Sequence, residues 1–274
     1  MRRRSEAGRR REPPRSISGS GLPSESQGER AWRPNLIGIL LRASRDLWNE
    51  SFFLMAFNFL FAVSVLPGFL VLSYALTSRQ IVLVGIGLVA LLAWPFTTFG
   101  LFHAAARAVA RDALHLRTFA EGGRRRLGLA YRWGGLNVAV LGILVVNAFF
   151  YLDPQAPLFG TWLGSFLAAF FLMACVVWVI GQAGLLAVLA TLEVDSLRSG
   201  WKELRLVLLR RPWIVFGAGG LCAVLVIASA VVLPLGLLLG FACAAVLACR
   251  MIVDLTDDRP ATAQRFSRQP KDPR

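Results

Sequence analysis

A stretch of 37 residues from Trp213 to Cys249 contains no acidic or basic side chain, and this charge-free stretch limits the possible folds most strongly. As one α-helix it would be about 55 Å long, whereas the hydrocarbon core of a bilayer is about 30 Å thick. Pro234 and Gly236 stand near its middle, and proline interrupts helices. We therefore expect two membrane-spanning helices joined by a tight turn.

Four further apolar stretches precede this one, so the sequence predicts six spans. The composition agrees, because only 17% of the residues are charged, whereas soluble domains have about 25%. A soluble enzyme, a disordered protein and a disulfide scaffold all fit this composition poorly. The predicted spans are about Phe52 to Leu76, Ile81 to Phe102, Leu136 to Leu152, Trp162 to Leu192, and the two halves of Trp213 to Cys249.

The basic residues predict the orientation of these spans. Of the 30 Lys and Arg residues, 29 lie in alternate connecting segments, and Arg79 alone lies in the other set. The positive-inside rule then predicts a multi-pass protein of the bacterial plasma (inner) membrane with both termini in the cytoplasm. Trp48, Trp133 and Trp213 are expected at the cytoplasmic interface. Because this rule accounts for the net charge of +14, we expect no nucleic-acid partner.

Each predicted pair of spans follows a basic amphipathic segment. Apolar residues recur at helical spacing over Leu36–Leu47, Phe102–Ala120 and Leu197–Leu208, which is typical of helices that lie on a membrane surface. The predicted fold class is an all-α membrane protein with six transmembrane helices arranged as three hairpins, each preceded by a basic amphipathic surface helix. Residues 33–255 form this membrane domain, and residues 1–32 and 256–274 are expected to be disordered cytoplasmic tails.

The basic faces of the second and third amphipathic segments are candidate contacts for anionic lipid headgroups, since cationic residues near an anionic leaflet are attracted to it. The alternative is that these charges only enforce orientation. The bilayer is thus the first expected partner. The candidate residues are Arg107, Arg111, Arg124, Arg125, Arg126, Arg198, Lys202 and Arg205.

A few polar residues inside the predicted spans are the other candidate site. Asn58, Asn147 and Gln182, with Thr97 and Thr98, are uncharged side chains in otherwise apolar segments. They either hydrogen-bond neighbouring helices or line a polar path for a neutral solute. Convergence of the three amides on one cavity would favour the second interpretation.

No enzyme site, metal site or cofactor is predicted. The two histidines, His103 and His115, are twelve residues apart, which is about 18 Å along a helix, so they cannot share one ion. The four cysteines lie in apolar stretches without a paired spacing. Neither a nucleophile-elbow motif nor a phosphate-binding loop occurs.

Several local motifs resemble the YesL-like family of bacterial membrane proteins. They include Leu47-Trp48-Asn49, Trp94-Pro95-Phe96-Thr97-Thr98-Phe99-Gly100, and Arg210-Arg211-Pro212-Trp213. The resemblance extends over roughly residues 36–255 and implies a domain of unknown function. Some members of that family occur beside carbohydrate-uptake genes, which implies transporter subunits as possible partners. We expect a non-enzymatic accessory or scaffold component, the alternative being a transporter of a small neutral solute.

Overall fold

All regular elements in the described part of the chain are α-helices. The computed structural model describes residues 35–155, 158–231 and 240–257. The predicted tails, apart from Thr256 and Asp257, and the predicted turn at Pro234 lie outside these ranges. The helices are α1 (Leu36–Asn49), α2 (Ser51–Ser78), α3 (Ile81–Leu91), α4 (Ala93–Val109), α5 (Leu116–Arg125), α6 (Leu127–Leu152), α7 (Trp162–Thr191), α8 (Leu197–Arg210), α9 (Pro212–Val231) and α10 (Phe241–Asp257).

Four segments of the described chain are long and apolar enough to cross a membrane. They are Ser51–Ala75, Ile81–Val109, Leu127–Leu152 and Trp162–Thr191, and a fifth is possible if α8 and α9 count as one bent span. The bend between α8 and α9 is 113°. The third segment begins well before Leu136, where the sequence placed its start. The fourth matches its predicted bounds almost to the residue.

The second of these segments consists of α3 and α4, which meet at Leu92. Pro95 lies in the first turn of α4 and has no N–H to donate to the carbonyl of Leu91. Separately, the Leu92 N–H bonds the carbonyls of Val89 and Ala90, which lie three and two residues before it. The local hydrogen-bond pattern therefore changes at this point, and the chain continues as a second helix.

The apolar faces of these helices are mostly uncovered by protein. Only 11% of the most apolar window of α6, and the same share of α7, is buried inside the molecule. Large side chains such as Val146, Phe149 and Phe170 are more than half exposed. Contiguous apolar surface of this extent marks a face that meets lipid or another protein.

The predicted amphipathic segments at Leu36–Leu47 and Leu197–Leu208 are helical, as α1 and α8. The continuous stripe expected over Phe102–Ala120 is instead divided between α4 and α5. Arg111 adopts a left-handed conformation with φ of 61°, a region that residues other than glycine rarely occupy. The N–H groups of Arg111 and Asp112 bond the carbonyls of Ala108 and Arg107, which is the Schellman ending of a helix.

The helices α1 and α5 and the basic ends of several long helices meet at one end of the molecule, which we call the charged end. Arg126, just before α6, reaches the last turn of α7. Gly122 of α5 lies against His103 of α4. Residues of α1 pair with residues near the end of α10. These contacts gather α1, α5 and the basic connections on the same side.

Candidate functional site

The most elaborate polar arrangement in the described part of the apolar helices lies between α6 and α7. Trp133 and Asn137 are four residues apart on α6, and Trp178 and Gln182 are four residues apart on α7. The Trp133 Nε1 donates to Gln182 Oε1 at 2.8 Å, and the Trp178 Nε1 donates to Asn137 Oδ1 at 3.0 Å. The two antiparallel helices thus exchange indole-to-amide hydrogen bonds. We call these four residues the amide–indole network.

The indoles fix the orientation of both amides, because an indole N–H can only donate a hydrogen bond. The oxygens of Asn137 and Gln182 must therefore face Trp178 and Trp133, respectively. Asn137 Nδ2 then donates to the Trp133 carbonyl at 2.9 Å and to Gln182 Oε1 at 3.3 Å. Gln182 Nε2 has no hydrogen-bond partner, although the residue is buried with 5% of its surface exposed.

A cavity of about 200 Å³ adjoins the amide–indole network. Both amides line it, together with Thr98 and a set of aromatic and aliphatic side chains from α2, α4, α6, α7, α9 and α10. The Thr98 hydroxyl donates to the carbonyl of Trp94 at 2.7 Å. The Gln182 side chain therefore borders a mostly apolar space, while its Nε2 is inaccessible and has no hydrogen-bond partner.

The other predicted polar residues do not join this site. Asn58 is fully buried on α2, and its Oδ1 accepts a hydrogen bond from the Ala242 N–H in the first turn of α10 at 2.9 Å. It satisfies one of the donors left free at the start of a helix. Asn147 is half-buried and donates to the Ile143 carbonyl of its own helix at 2.7 Å. Thr97 also donates within its own helix, to the carbonyl of Ala93.

Three of the four members of the network were missed by the sequence reasoning. Asn137 and Trp178 were not among the candidates, and Trp133 was expected at the membrane interface, but it is only 3% exposed. The predicted start of the span at Leu136 put Trp133 and Asn137 at its edge, whereas α6 begins nine positions earlier at Leu127. The four-residue spacing of an indole and an amide, present on both helices, is the signal that could have indicated a shared face.

The candidate lipid contacts at the charged end differ in their surroundings. Arg111, Arg124, Arg198, Lys202 and Arg205 are exposed. Arg107 and Arg125 are also exposed, and they pair with Asp112 at 3.1 Å and with Glu193 at 3.7 Å.

Arg126 differs from the other candidates because its guanidinium is largely buried. Its Nη1 donates to the carbonyls of Leu189 at 2.6 Å and Val194 at 3.2 Å. A basic side chain placed there satisfies free carbonyls at the end of α7 and complements the helix dipole. The geometry therefore gives Arg126 a bonding partner within the protein.

A second polar cluster, the charged network, consists of Arg42 and Asp46 on α1 and Arg250 and Asp254 on α10. The Arg42 Nη2 lies 2.9 Å from Asp254 Oδ2, and the Arg250 Nε lies 3.4 Å from Asp46 Oδ2. Both carboxylates are nearly inaccessible to solvent. Arg42 and Asp46 lie within the amphipathic helix that the sequence predicted over Leu36–Leu47, but their pairing with Asp254 and Arg250 was not predicted.

Burial raises the pKa of Asp46 above its ordinary value of 3.8, because it disfavours the charged form. Arg250, Arg111 and Arg42 act in the opposite direction, and the negative charge of Asp254 adds to the increase. Desolvation thus raises the pKa of Asp46 by more than its cationic neighbours lower it. A buried ion pair with this balance adds little net stability, but removal of one partner leaves a buried charge uncompensated.

The fold and these sites define an all-helical protein whose long apolar helices suit a membrane. Comparison with known protein families, with curated proteins and with solved structures found no match to this chain.

Proposed function

We propose that this chain is a multi-pass protein of the bacterial plasma membrane and acts as a non-enzymatic accessory or scaffold component. In this topology the chain crosses the membrane six times, with α9 and α10 as the fifth and sixth spans. Both termini lie in the cytoplasm. The charge distribution supports this orientation, since 29 of the 30 basic residues lie in alternate segments.

The scaffold role is supported by the hydrogen bonds that the intramembrane amides form. Asn58 bonds the start of α10, Asn147 bonds its own helix, and Gln182 bonds two residues of α6. The three amides do not converge on one path. The interhelical bonds of Asn58 and Gln182 are of the kind that holds membrane helices together, at about 0.6 kcal/mol each.

The proposed partners are subunits of a solute transporter, with anionic lipids at the charged end. The resemblance to the YesL-like family supports a link to carbohydrate uptake. The exposed basic residues of α5 and α8, including Arg124 and Lys202, support the lipid contact. The broad uncovered apolar faces of α6 and α7 leave room for a partner within the membrane.

A transporter of a small neutral solute is the second candidate function, and the cavity beside Gln182 and Thr98 is the observation that favours it. Osmotic shrinkage of liposomes that contain only this protein separates the two functions. We expect neutral sugars and polyols to enter no faster than they enter protein-free liposomes. Saturable entry of any of these solutes would contradict the accessory role and support transport.

Reporter fusions test the proposed topology. A fusion after residue 156 should report the periplasmic side, and a fusion at the C-terminus should report the cytoplasmic side. A cytoplasmic signal after residue 156, or a periplasmic signal at the C-terminus, would contradict the six-span arrangement.

A further inference from the structure

An apolar groove of about 520 Å³ lies between α6, α7, α9 and α10, with α8 at one end. No Asp, Glu, Lys or Arg is among the described residues that line it. Val177 of α7 and Phe216 of α9 line the groove and keep 49% and 47% of their surface exposed. The groove is therefore open on the side of the uncovered apolar helix faces, which contact lipid in the proposed topology.

The length of the groove matches one leaflet of a bilayer. On α7 its lining runs from Ala174 to Gly184, which is about 15 Å along a helix, or half of a hydrocarbon core about 30 Å thick. These residues lie in the half of α7 that leads to the charged end. An α-helical segment of that length, about 10 Å wide, takes up more than about 1,000 Å³. The groove is thus too small to enclose a helix and suits an acyl chain.

The amphipathic helix α8 lies at the charged end of this groove. A Cβ on Gly181 would lie 3.7 Å from the Trp201 ring, and a Cβ on Gly184 would lie 3.0 Å from Leu204. The angle between α8 and α9 is 113°, so α8 crosses the direction of α9, as a helix on a membrane surface does. An acyl chain in the groove would therefore place its headgroup beside α8.

Three cations of α8 border this end of the groove, and we call them the basic edge: Arg198, Lys202 and Arg205. Arg198 and Arg205 lie three residues before and four residues after Trp201, so they share its side of the helix. All three cations are exposed, and none forms an ion pair with another described residue. Glu203 is two positions from Trp201 and does not share this side. The groove therefore ends beside positive charge that has no partner in the described chain.

We propose that the groove binds one acyl chain of an anionic phospholipid of the inner leaflet, and that the basic edge binds the phosphate of its headgroup. Guanidinium groups suit phosphate because they donate two parallel hydrogen bonds to it. A zwitterionic phospholipid has the same acyl chains but brings its own cation to the basic edge, so it binds more weakly. The inference rests on the proposed lipid contact at the charged end and assigns it a specific site.

Photolabelling of the unmodified chain tests this selectivity. Phosphatidylglycerol and phosphatidylcholine with the same diazirine-bearing acyl chain are each added to nanodiscs that contain the full chain, and peptide fragmentation locates the labelled residues. We expect residues of Ala174–Gly184 to take up about fivefold more phosphatidylglycerol, a ratio that equals about 1 kcal/mol. The exposed face of α6 around Phe149 should take up both lipids equally.

Equal labelling of the groove by the two lipids would overturn the proposal. Absence of label from the groove would also overturn it, because protein rather than lipid would then cover this surface.

Two variants separate the contributions of the acyl chain and the headgroup. Ala174→Phe adds volume inside the groove and should reduce labelling there by both lipids. Ala169→Phe, at an exposed position of the same helix, is the matched control and should leave labelling of the groove unchanged. Replacement of Arg198, Lys202 and Arg205 together by Gln should make the two lipids label equally. Undiminished labelling in Ala174→Phe, or a retained preference in the triple variant, would overturn the proposal.

The melting temperature of each variant shows whether it folds, and the comparison of the two lipids in the unmodified chain decides the question if a variant does not. The triple variant retains Arg210 and Arg211, which preserve the basic charge of this connection. Failure of this proposal is distinguishable from failure of the scaffold role. Equal labelling by the two lipids would leave the scaffold role standing, whereas saturable solute entry into liposomes would contradict only the scaffold role.

Discussion

Arg42 and Asp254, which lie 212 positions apart in the chain, form an ion pair in which Nη2 and Oδ2 are 2.9 Å apart. The pair fastens α1, which precedes the first long apolar helix, to the last turns of α10. Each helix contributes an arginine and an aspartate four residues apart, so two guanidinium groups face two carboxylates. The charged network therefore links the first and last described helices.

Removal of one cation from this network should destabilise the protein strongly. Arg250→Gln leaves the buried carboxylates of Asp46 and Asp254 with one guanidinium fewer. Breaking a buried ion pair in this way costs about 3–5 kcal/mol. Thermal unfolding in detergent, followed by circular dichroism, measures the change.

Arg45→Gln is the matched control, because Arg45 is an exposed arginine on α1. It should change stability by no more than about 0.5 kcal/mol. Equal effects of the two substitutions would show that the charged network has no structural role.

The dependence of the protein's stability on pH should reflect the ionisation of Asp46. Because its pKa is raised in the folded protein, the unfolded chain ionises first as the pH increases from about 3.8. Stability relative to the Asp46→Asn variant should therefore fall as the pH increases and level off above the raised pKa. Unfolding of both proteins at several pH values checks this. A rise in relative stability over the same range would mean that the arginines outweigh desolvation.

Substitution of alanine for each of two adjacent glycines of α6 should have opposite effects on the stability of the protein. A Cβ on Gly134 would lie 2.5 Å from the Cγ of Pro95, whereas a Cβ on Gly135 would have nothing within 4 Å. The proline ring cannot rotate away, so Gly134→Ala should destabilise by about 1–3 kcal/mol. Gly135→Ala should be neutral or stabilising by up to about 1 kcal/mol. Similar melting temperatures for both variants would contradict the contact between α4 and α6.

Loss of the exposed arginines should reduce bound anionic lipid. The variant replaces Arg107, Arg111, Arg124 and Arg125 with Gln and retains Arg126, which bonds carbonyls after α7. Each cation near an anionic leaflet contributes about 1 kcal/mol. Mass spectrometry of co-purified lipid measures the change, and Arg79→Gln is the control. If the amount of co-purified anionic lipid does not change and the topology is retained, these residues act only in orienting the protein in the membrane.

The sequence predicted the features that depend on long-range hydropathy. The segment Trp162 to Leu192 coincides with α7 because an uninterrupted apolar run has clear ends. The end of α4 at Val109 was not predicted, because Arg111 occupies a left-handed position that usually carries glycine. Nothing in the residue types there signals a stop.

The sequence could not predict which helices contact one another. Hydropathy does not indicate which face of a helix that is apolar on every side meets a neighbour. The four-residue spacing of an indole and an amide marks one face on each of α6 and α7, but the pairing of Trp133 with Gln182 depends on how the two helices pack. Likewise, Arg250 and Asp254 are visible as a four-residue pair, but their contact with α1 depends on how the distant helices come together.

The central claim is that the interhelical hydrogen bonds of Asn58, Asn137 and Gln182 hold helices together. A double-mutant cycle on Trp133 and Gln182 tests this claim most directly. Trp133→Phe removes the indole donor, Gln182→Met removes the amide, and the double variant removes both. Unfolding free energies in detergent should give a coupling of about 0.6 kcal/mol between the two sites. Strictly additive effects would contradict the claim.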